Sequence, residues 1–159
     1  NLAACGGVMA AAIITRLNFG KTDVIQMLNG AIGGLVAITA EPLMPSPLAA
    51  ILIGAVGGII VVYGTKFLLA MKIDDVVGAV PAHLFSGIWG TLAVPITNSS
   101  ANFGSQLLGV VAINGTVFVI SLFIWAIMKN TFGIRLSKEG ETKGTDVTET
   151  GVIAYAIRD

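Results

Sequence analysis

Charged residues cut this chain into five apolar blocks. Leu2 to Thr15 is free of charge and ends at Arg16. Val24 to Ala40 runs between Asp23 and Glu41, and Pro42 to Thr65 runs between Glu41 and Lys66. Val76 to Met128 is free of charged residues, and the polar cluster Asn98-Ser99-Ser100-Ala101-Asn102 divides it in two. The predicted spans are residues 2–15, 24–40, 46–69, 76–97 and 105–128, followed by a polar tail over 132–159. Crossing a bilayer takes about 20 apolar residues in a helix. The last three spans meet that length, the second is near its lower limit, and the first is short. Strand-like alternation is absent. Only helices or closed barrels satisfy their backbone within lipid, so the pattern predicts an all-α integral membrane protein with five transmembrane helices. A transmembrane bundle would occupy residues 1–131 and a cytoplasmic tail 132–159.

Composition agrees with that reading. The apolar fraction is 55% and charged residues make up only 11%, against about 25% in a soluble domain. Such a chain has too little charge to cover a water-facing surface. Its formal net charge is zero, which leaves no basic patch for nucleic acid. Cys5 stands alone, with no disulfide partner and no metal-ligand spacing around it. There is no phosphate-binding glycine loop, no paired carboxylate and no Cys/His cluster. The expectation is therefore a non-enzyme with no cofactor and no metal. The chain starts at Asn1 and is apolar at once, so it is expected to be a fragment of something longer, with a natural polar C-terminal end.

The nine basic residues fall in three places. Arg16 and Lys21 form one group, Lys66 and Lys72 another, and Lys129, Arg135, Lys138, Lys143 and Arg158 belong to the tail. The loops near 41–47 and 98–104 have none. Positive loops stay in the cytoplasm, so the chain is expected to begin outside, cross five times and end inside. Glycines recur at four-residue spacing, as Gly30 with Gly34 and Gly54 with Gly58. Small residues so spaced let helices approach closely in lipid, and packing is the favoured reading for them. Asn29-Gly30 would signal a hairpin between strands, a reading that fails inside a helical span.

One residue carries candidate chemistry. His83 is the only histidine, and it lies inside the fourth span. Ionisable groups within a membrane usually face a cavity or a pathway, and a neutral imidazole offers one donor and one acceptor. The structural alternative is a histidine bonded to a hydroxyl on another helix. Pro81 leaves the carbonyl of Val77 without its helical donor, so a kink or an opened helix is expected just before His83. That carbonyl could face a pore or be satisfied by a neighbouring helix. Asp74 and Asp75 precede this helix. A capping role is favoured for them, and guiding a cation at an inner mouth is the sharper alternative. Ser86 lies one turn from His83 and could bond it or the backbone. Trp89 reads as packing or interface anchoring.

These residues are also familiar in combination. Ile73-Asp74-Asp75-Val76-Val77-Gly78-Ala79-Val80-Pro81-Ala82-His83, followed by Gly87-Ile88-Trp89-Gly90-Thr91-Leu92-Ala93, resembles the tenth helix of the Amt/MEP ammonium transporter family. The stretch from Leu28 through Ala40 resembles its eighth helix, and Arg16 to Lys21 resembles the loop before it. The resemblance covers essentially the whole chain. It implies the second half of an eleven-helix ammonium transporter fold, an arrangement of inverted repeats. It also implies a homotrimer in the plasma (inner) membrane, each subunit with its own narrow hydrophobic pore. Ammonium would be recruited outside and deprotonated, and ammonia would pass two histidines. His83 matches the second of these, and Asp75 matches an acidic residue near the inner end. The first histidine, the outer aromatic gate and the acidic recruitment residue belong to helices this chain lacks, so the chain alone is not expected to conduct. The tail from Gly133 to Tyr155 resembles a regulatory region, with Thr150 where many relatives have histidine. Soluble trimeric PII-type signal proteins are the implied cytoplasmic partner. An ammonium sensor is the alternative function, and an Rh-type gas channel is a third possibility that Asp74-Asp75 and Gly87-Ile88-Trp89-Gly90 disfavour.

Overall fold

Helix α1 spans Leu2–Phe19, four residues beyond the end predicted for it. Arg16 does not stop it, because a cation in the last turn lies at the negative end of the helix dipole. The stop is Gly20, which takes a left-handed φ of 72° and returns its N–H to the Arg16 carbonyl at 2.9 Å. Left-handed glycine is a common helix terminator. Helix α2 spans Val24–Ile38, and Asp23 caps it by accepting from the Gln26 N–H at 3.1 Å. Helix α3 spans Pro47–Ala70. Its N-cap, Ser46, accepts from the Ala49 N–H at 3.3 Å, and Pro47 occupies the first turn, where its missing N–H costs nothing.

The fourth predicted span is corrected at its start. A wide π turn covers Val80–Phe85 and continues directly into α4, Ser86–Thr97. Residues 76–79 lie before that turn. Pro81 therefore falls in the first turn of the helix rather than in its interior, and the expected kink gives way to a locally widened start. Helix α5 spans Phe103–Thr131. The tail adds α6, Lys138–Lys143, and a second wide turn, Asp146–Thr150. These assignments come from a computed structural model that describes residues 1–43 and 46–153, among which there is no strand. Arg158 and the Ala154-Tyr155 part of the tail lie outside the described residues.

The chain forms two compact units that divide within α5, between Ile113 and Asn114. In the first, α1, α2 and α3 pack against one another. Glycines set their spacing. A Cβ on Gly58 would lie 2.8 Å from both the carbonyl carbon and the Cα of Gly7, and one on Gly30 would lie 2.7 Å from the Ala11 Cβ. A Cβ on Gly34 or Gly54 would run into the backbone of Ala3. The four-residue glycine pairs are therefore helix contacts, as expected from their spacing. Thr15 is fully buried and bonds the Ala11 carbonyl at 2.7 Å, while its hydroxyl accepts from the Asp23 N–H at 3.3 Å. That pair ties the end of α1 to the start of α2. Lys66 on α3 rests its ammonium 4.5 Å from the Phe19 ring centroid and 5.4 Å from that of Tyr63. Charge at this end of the bundle is thus held against aromatic faces.

The π turn and α4 lie against α2 and α3. Gly90 sits on the Ala37 backbone. Trp89 packs on the cluster of Ala37, Ile53 and Ala93, and its indole N–H donates to the Ile53 carbonyl at 3.0 Å. Packing is thus what Trp89 does here. At the end of this helix Thr97 donates to the Glu41 carboxylate at 2.7 Å, joining the ends of α2 and α4. No residue of α5 is buried. In the second unit the tail holds a surface pair, Arg135 with Glu141 at 3.2 Å, of a kind that contributes about 0–1 kcal/mol.

Candidate functional site around His83

The first turn of a helix leaves backbone N–H groups that need outside partners. Before His83 each is accounted for. Asp75 offers one carboxylate oxygen to the Ala79 N–H and the other to the Val80 N–H, both at 2.9 Å. Pro81 has no N–H. Ala82 donates to the Gly78 carbonyl at 3.2 Å. Asp75 is thus a helix cap in this structure, with both oxygens in use. Asp74 is exposed.

The Val77 carbonyl finds its donor on α2. The Asn29 side-chain amide donates to it at 2.9 Å. Of the two fates open to that carbonyl, the neighbouring helix is the one observed. Gly78 lies between them with a left-handed φ of 73°, and a Cβ there would sit 2.5 Å from the Asn29 amide nitrogen. Both the backbone angle and the contact require glycine at this position.

Beyond the cap, Pro81 and Phe85 lie one above the other and clamp α3. A Cβ on Gly64 would meet the Phe85 ring at 2.8 Å and the Pro81 Cβ at 2.9 Å. The Phe85 ring also pairs with Phe67, with centroids 6.4 Å apart. Ser86 is fully buried, and its hydroxyl lies 3.0 Å from the Pro81 carbonyl and 3.5 Å from that of Gly57. Its partner is therefore the backbone and not His83. The Ser86 N–H also reaches the Pro81 carbonyl, five residues back, which is the spacing that defines a π turn.

His83 is two residues from Pro81 and two from Phe85, so it projects from the opposite side of the turn. Its side chain is exposed, and among the described residues it has no hydrogen-bond partner. No hydroxyl among the described residues bonds it. The arrangement offers one exposed imidazole with neither nitrogen bonded among the described residues. It can donate one hydrogen bond and accept another. No group of three or more His, Cys, Asp or Glu suited to a metal occurs among the described residues.

A family profile described as the Ammonium Transporter Family matches residues 1–155. The chain belongs to the ammonium transporter family. Members of this family are transporters rather than enzymes. Ammonium transporter Amt2 of Archaeoglobus fulgidus is 38% identical over 175 residues, covering 98% of this chain and 37% of that protein. A putative ammonium transporter of Synechocystis is 40% identical over 153 residues, covering 94% of this chain and 34% of that protein. Among solved structures, one titled Sensor Amt Protein superposes with a TM-score of 0.86 at 28% identity, over 94% of this chain and 40% of that one. The chain thus spans little more than a third of the relatives it matches.

Reasoning from sequence singled out His83, Asp74, Asp75, Ser86 and Trp89, and missed Asn29. A signal for it existed. Asn29 is the only polar side chain between Gln26 and Thr39, and a lone amide in an apolar helix needs a partner. Glu41 with Thr97, and Lys66 with Phe19, were likewise not paired in advance, since each joins positions far apart in the chain.

Proposed function

We propose that this chain forms part of an ammonium/ammonia transport pathway through a membrane, with His83 on the wall of a narrow hydrophobic pore. The observation that carries this reading is the exposed imidazole, which is the one ionisable side chain in the sequence from Val76 to Met128. Ammonium would lose its proton before entering the apolar lumen. Neutral ammonia would then exchange water hydrogen bonds for one given and one taken by the imidazole. In this reading the helices cross the bilayer five times. Helices α1, α3 and α5 are long and apolar enough to span it. The continuous helix over residues 80–97 supplies on the order of 27 Å at 1.5 Å per residue, and α2 is the shortest crossing. The alternation of basic loops favours a C-terminus in the cytoplasm and a plasma (inner) membrane setting. In this reading the chain is a half-pore that does not conduct alone, completed by further helices and assembled as a homotrimer. The tail with α6 would offer a surface for a PII-type signal protein. Asp75 at the inner mouth acts mainly through the cap, with Asp74 beside it in solvent.

A second reading is an ammonium sensor that signals through cytoplasmic partners. It is favoured by the superposition on the Sensor Amt Protein. Ammonium uptake and ammonium-dependent current in proteoliposomes separate the two. The comparison takes this chain alone, the full-length transporter carrying it, and that transporter with His83→Ala. Flux in the full-length protein only, changed by His83→Ala, is the expected result. Flux through the chain alone, or flux indifferent to His83→Ala, overturns the half-pore reading. Ammonium-dependent signalling that persists after flux is lost supports the sensor.

A further inference from the structure

We propose that Asn29 is a positioning residue for His83, acting through the segment that starts the histidine-bearing helix. This rests on the reading of His83 as a pore residue. The structural argument comes from the backbone. Between Asp75 and Ala82 every hydrogen bond that sets the start of the helix is made by its own segment, with one exception. Asp75 takes the N–H groups of residues 79 and 80, Gly78 takes that of Ala82, and Asp75 takes that of Gly78 through its carbonyl at 3.2 Å. These bonds fix the segment internally and leave its placement on the bundle undecided. The exception is the bond from Asn29 to Val77, which joins residues 48 positions apart and anchors the segment to α2.

The anchor is specific in direction. In an unbroken helix the Val77 carbonyl would serve residue 81, and Pro81 cannot donate. Only a donor from outside the segment can satisfy it, and a side-chain amide supplies two N–H groups. The contact with Gly78 limits the choice further, since the amide nitrogen lies where a Cβ would be. A longer side chain at position 29 would displace the left-handed turn, and a shorter one would not reach. A slip of one residue in the helix start would swing His83 by roughly 100° around the helix axis, given 3.6 residues per turn. That would carry the imidazole away from the face it now occupies. Pro81 and Phe85 resist such rotation against Gly64 from the far side. Asn29 resists it at the entry, through the one side-chain hydrogen bond from α2 to this segment among the described residues.

The test reads the position of residue 83 directly. In this chain reconstituted in proteoliposomes, with Cys5→Ala to remove the native thiol, His83→Cys places a single reporter. Its rate of reaction with a small water-soluble methanethiosulfonate is compared with and without Asn29→Asp and Asn29→Ala. Asn29→Asp preserves size but sets an acceptor against the Val77 carbonyl. A reporter at Met9→Cys, an exposed position on α1, serves as the remote control. A several-fold change in rate at position 83 for both variants, with the rate at position 9 unchanged, is the expected result. Equal rates at position 83 in all three proteins overturn the proposal, as does a parallel change at both positions. The transport arm uses the full-length transporter. Asn29→Asp should lower maximal uptake and alter the ratio of ammonium to methylammonium flux while His83 is present. That ratio should not move when Asn29→Asp is added to His83→Ala. If His83→Ala alone leaves flux untouched, the pore reading fails, and the labelling result still decides whether Asn29 positions residue 83.

Discussion

Replacing Gly58 by alanine should separate helices that now touch through their backbones. The added Cβ would lie 2.8 Å from both the carbonyl carbon and the Cα of Gly7, with the carbonyl oxygen closer still. Carbon atoms sit comfortably at about 3.5–4.0 Å, so α1 and α3 must part by close to 1 Å. Neither side can yield by changing a rotamer, because both surfaces are main chain. Overpacking of this kind costs about 1–3 kcal/mol, and a rigid contact belongs at the upper end. Alanine recovers about 1 kcal/mol of helix propensity. The net expectation is a loss of about 2 kcal/mol, roughly thirtyfold in the folding equilibrium at about 1.4 kcal/mol per tenfold. The matched control is Gly109→Ala on α5, where a Cβ meets nothing within 4 Å and the change should be neutral or slightly stabilising. Unfolding of this chain by dodecyl sulfate in mixed micelles, followed by tryptophan fluorescence, measures both. If Gly58→Ala is as stable as the parent, or moves with Gly109→Ala, the argument from backbone contact is wrong.

Three further outcomes follow from the same geometry. Asp75→Ala should cost about 1–2 kcal/mol by removing a cap with two accepted bonds, and Asp75→Asn, which keeps one acceptor, should cost less; thermal midpoints in detergent order the three proteins. Trp89→Phe should cost about 1 kcal/mol for the lost bond to the Ile53 carbonyl, and Trp89→Ala roughly 3 kcal/mol, the low end for a large aromatic truncation because Trp89 is only half-buried; equal losses in the same unfolding assay would contradict the assigned bond. Lys66→Met should cost about 0.5–1 kcal/mol by removing the cation from Phe19, while Lys66→Arg keeps it; a Lys66→Met protein with an unchanged midpoint would show that the stack contributes nothing.

The helices were legible because hydropathy and charge act locally. A run without charge between Val24 and Ala40 must be satisfied as a helix in lipid, whatever surrounds it. Ends were less legible, since they depend on single groups. Arg16 looked like a terminus by its charge, yet the helix ends at Gly20, where the backbone can turn left-handed. Pro81 looked like an interior break, yet the helix begins just before it, because Asp75 and Gly78 build the start there. The glycine pairs were read correctly as packing, since their spacing alone places them on one helix face. Their partners, such as Ala3 for Gly34 and Gly54, required knowing which helices meet. The same limit applied at the site. His83 was visible because it is the only histidine, and Asp75 as a cap because it bonds within its own segment. Asn29 was not, because its partner lies 48 residues away and is a backbone carbonyl, which no side-chain motif reveals.

The hydroxyl of Ser86, the amide of Asn29 and both oxygens of Asp75 are all committed to main-chain groups. This makes the neighbourhood of His83 poor in competing hospitality for a small polar solute. A molecule moving past would find its bonding options concentrated at one ring, with the surrounding polar groups already occupied by the scaffold. If His83 lines a pore as proposed, discrimination there would come from scarcity. On that proposal a solute needing several partners at once, as a hydrated cation does, would be left short, and one content with a single donor and a single acceptor would lose little.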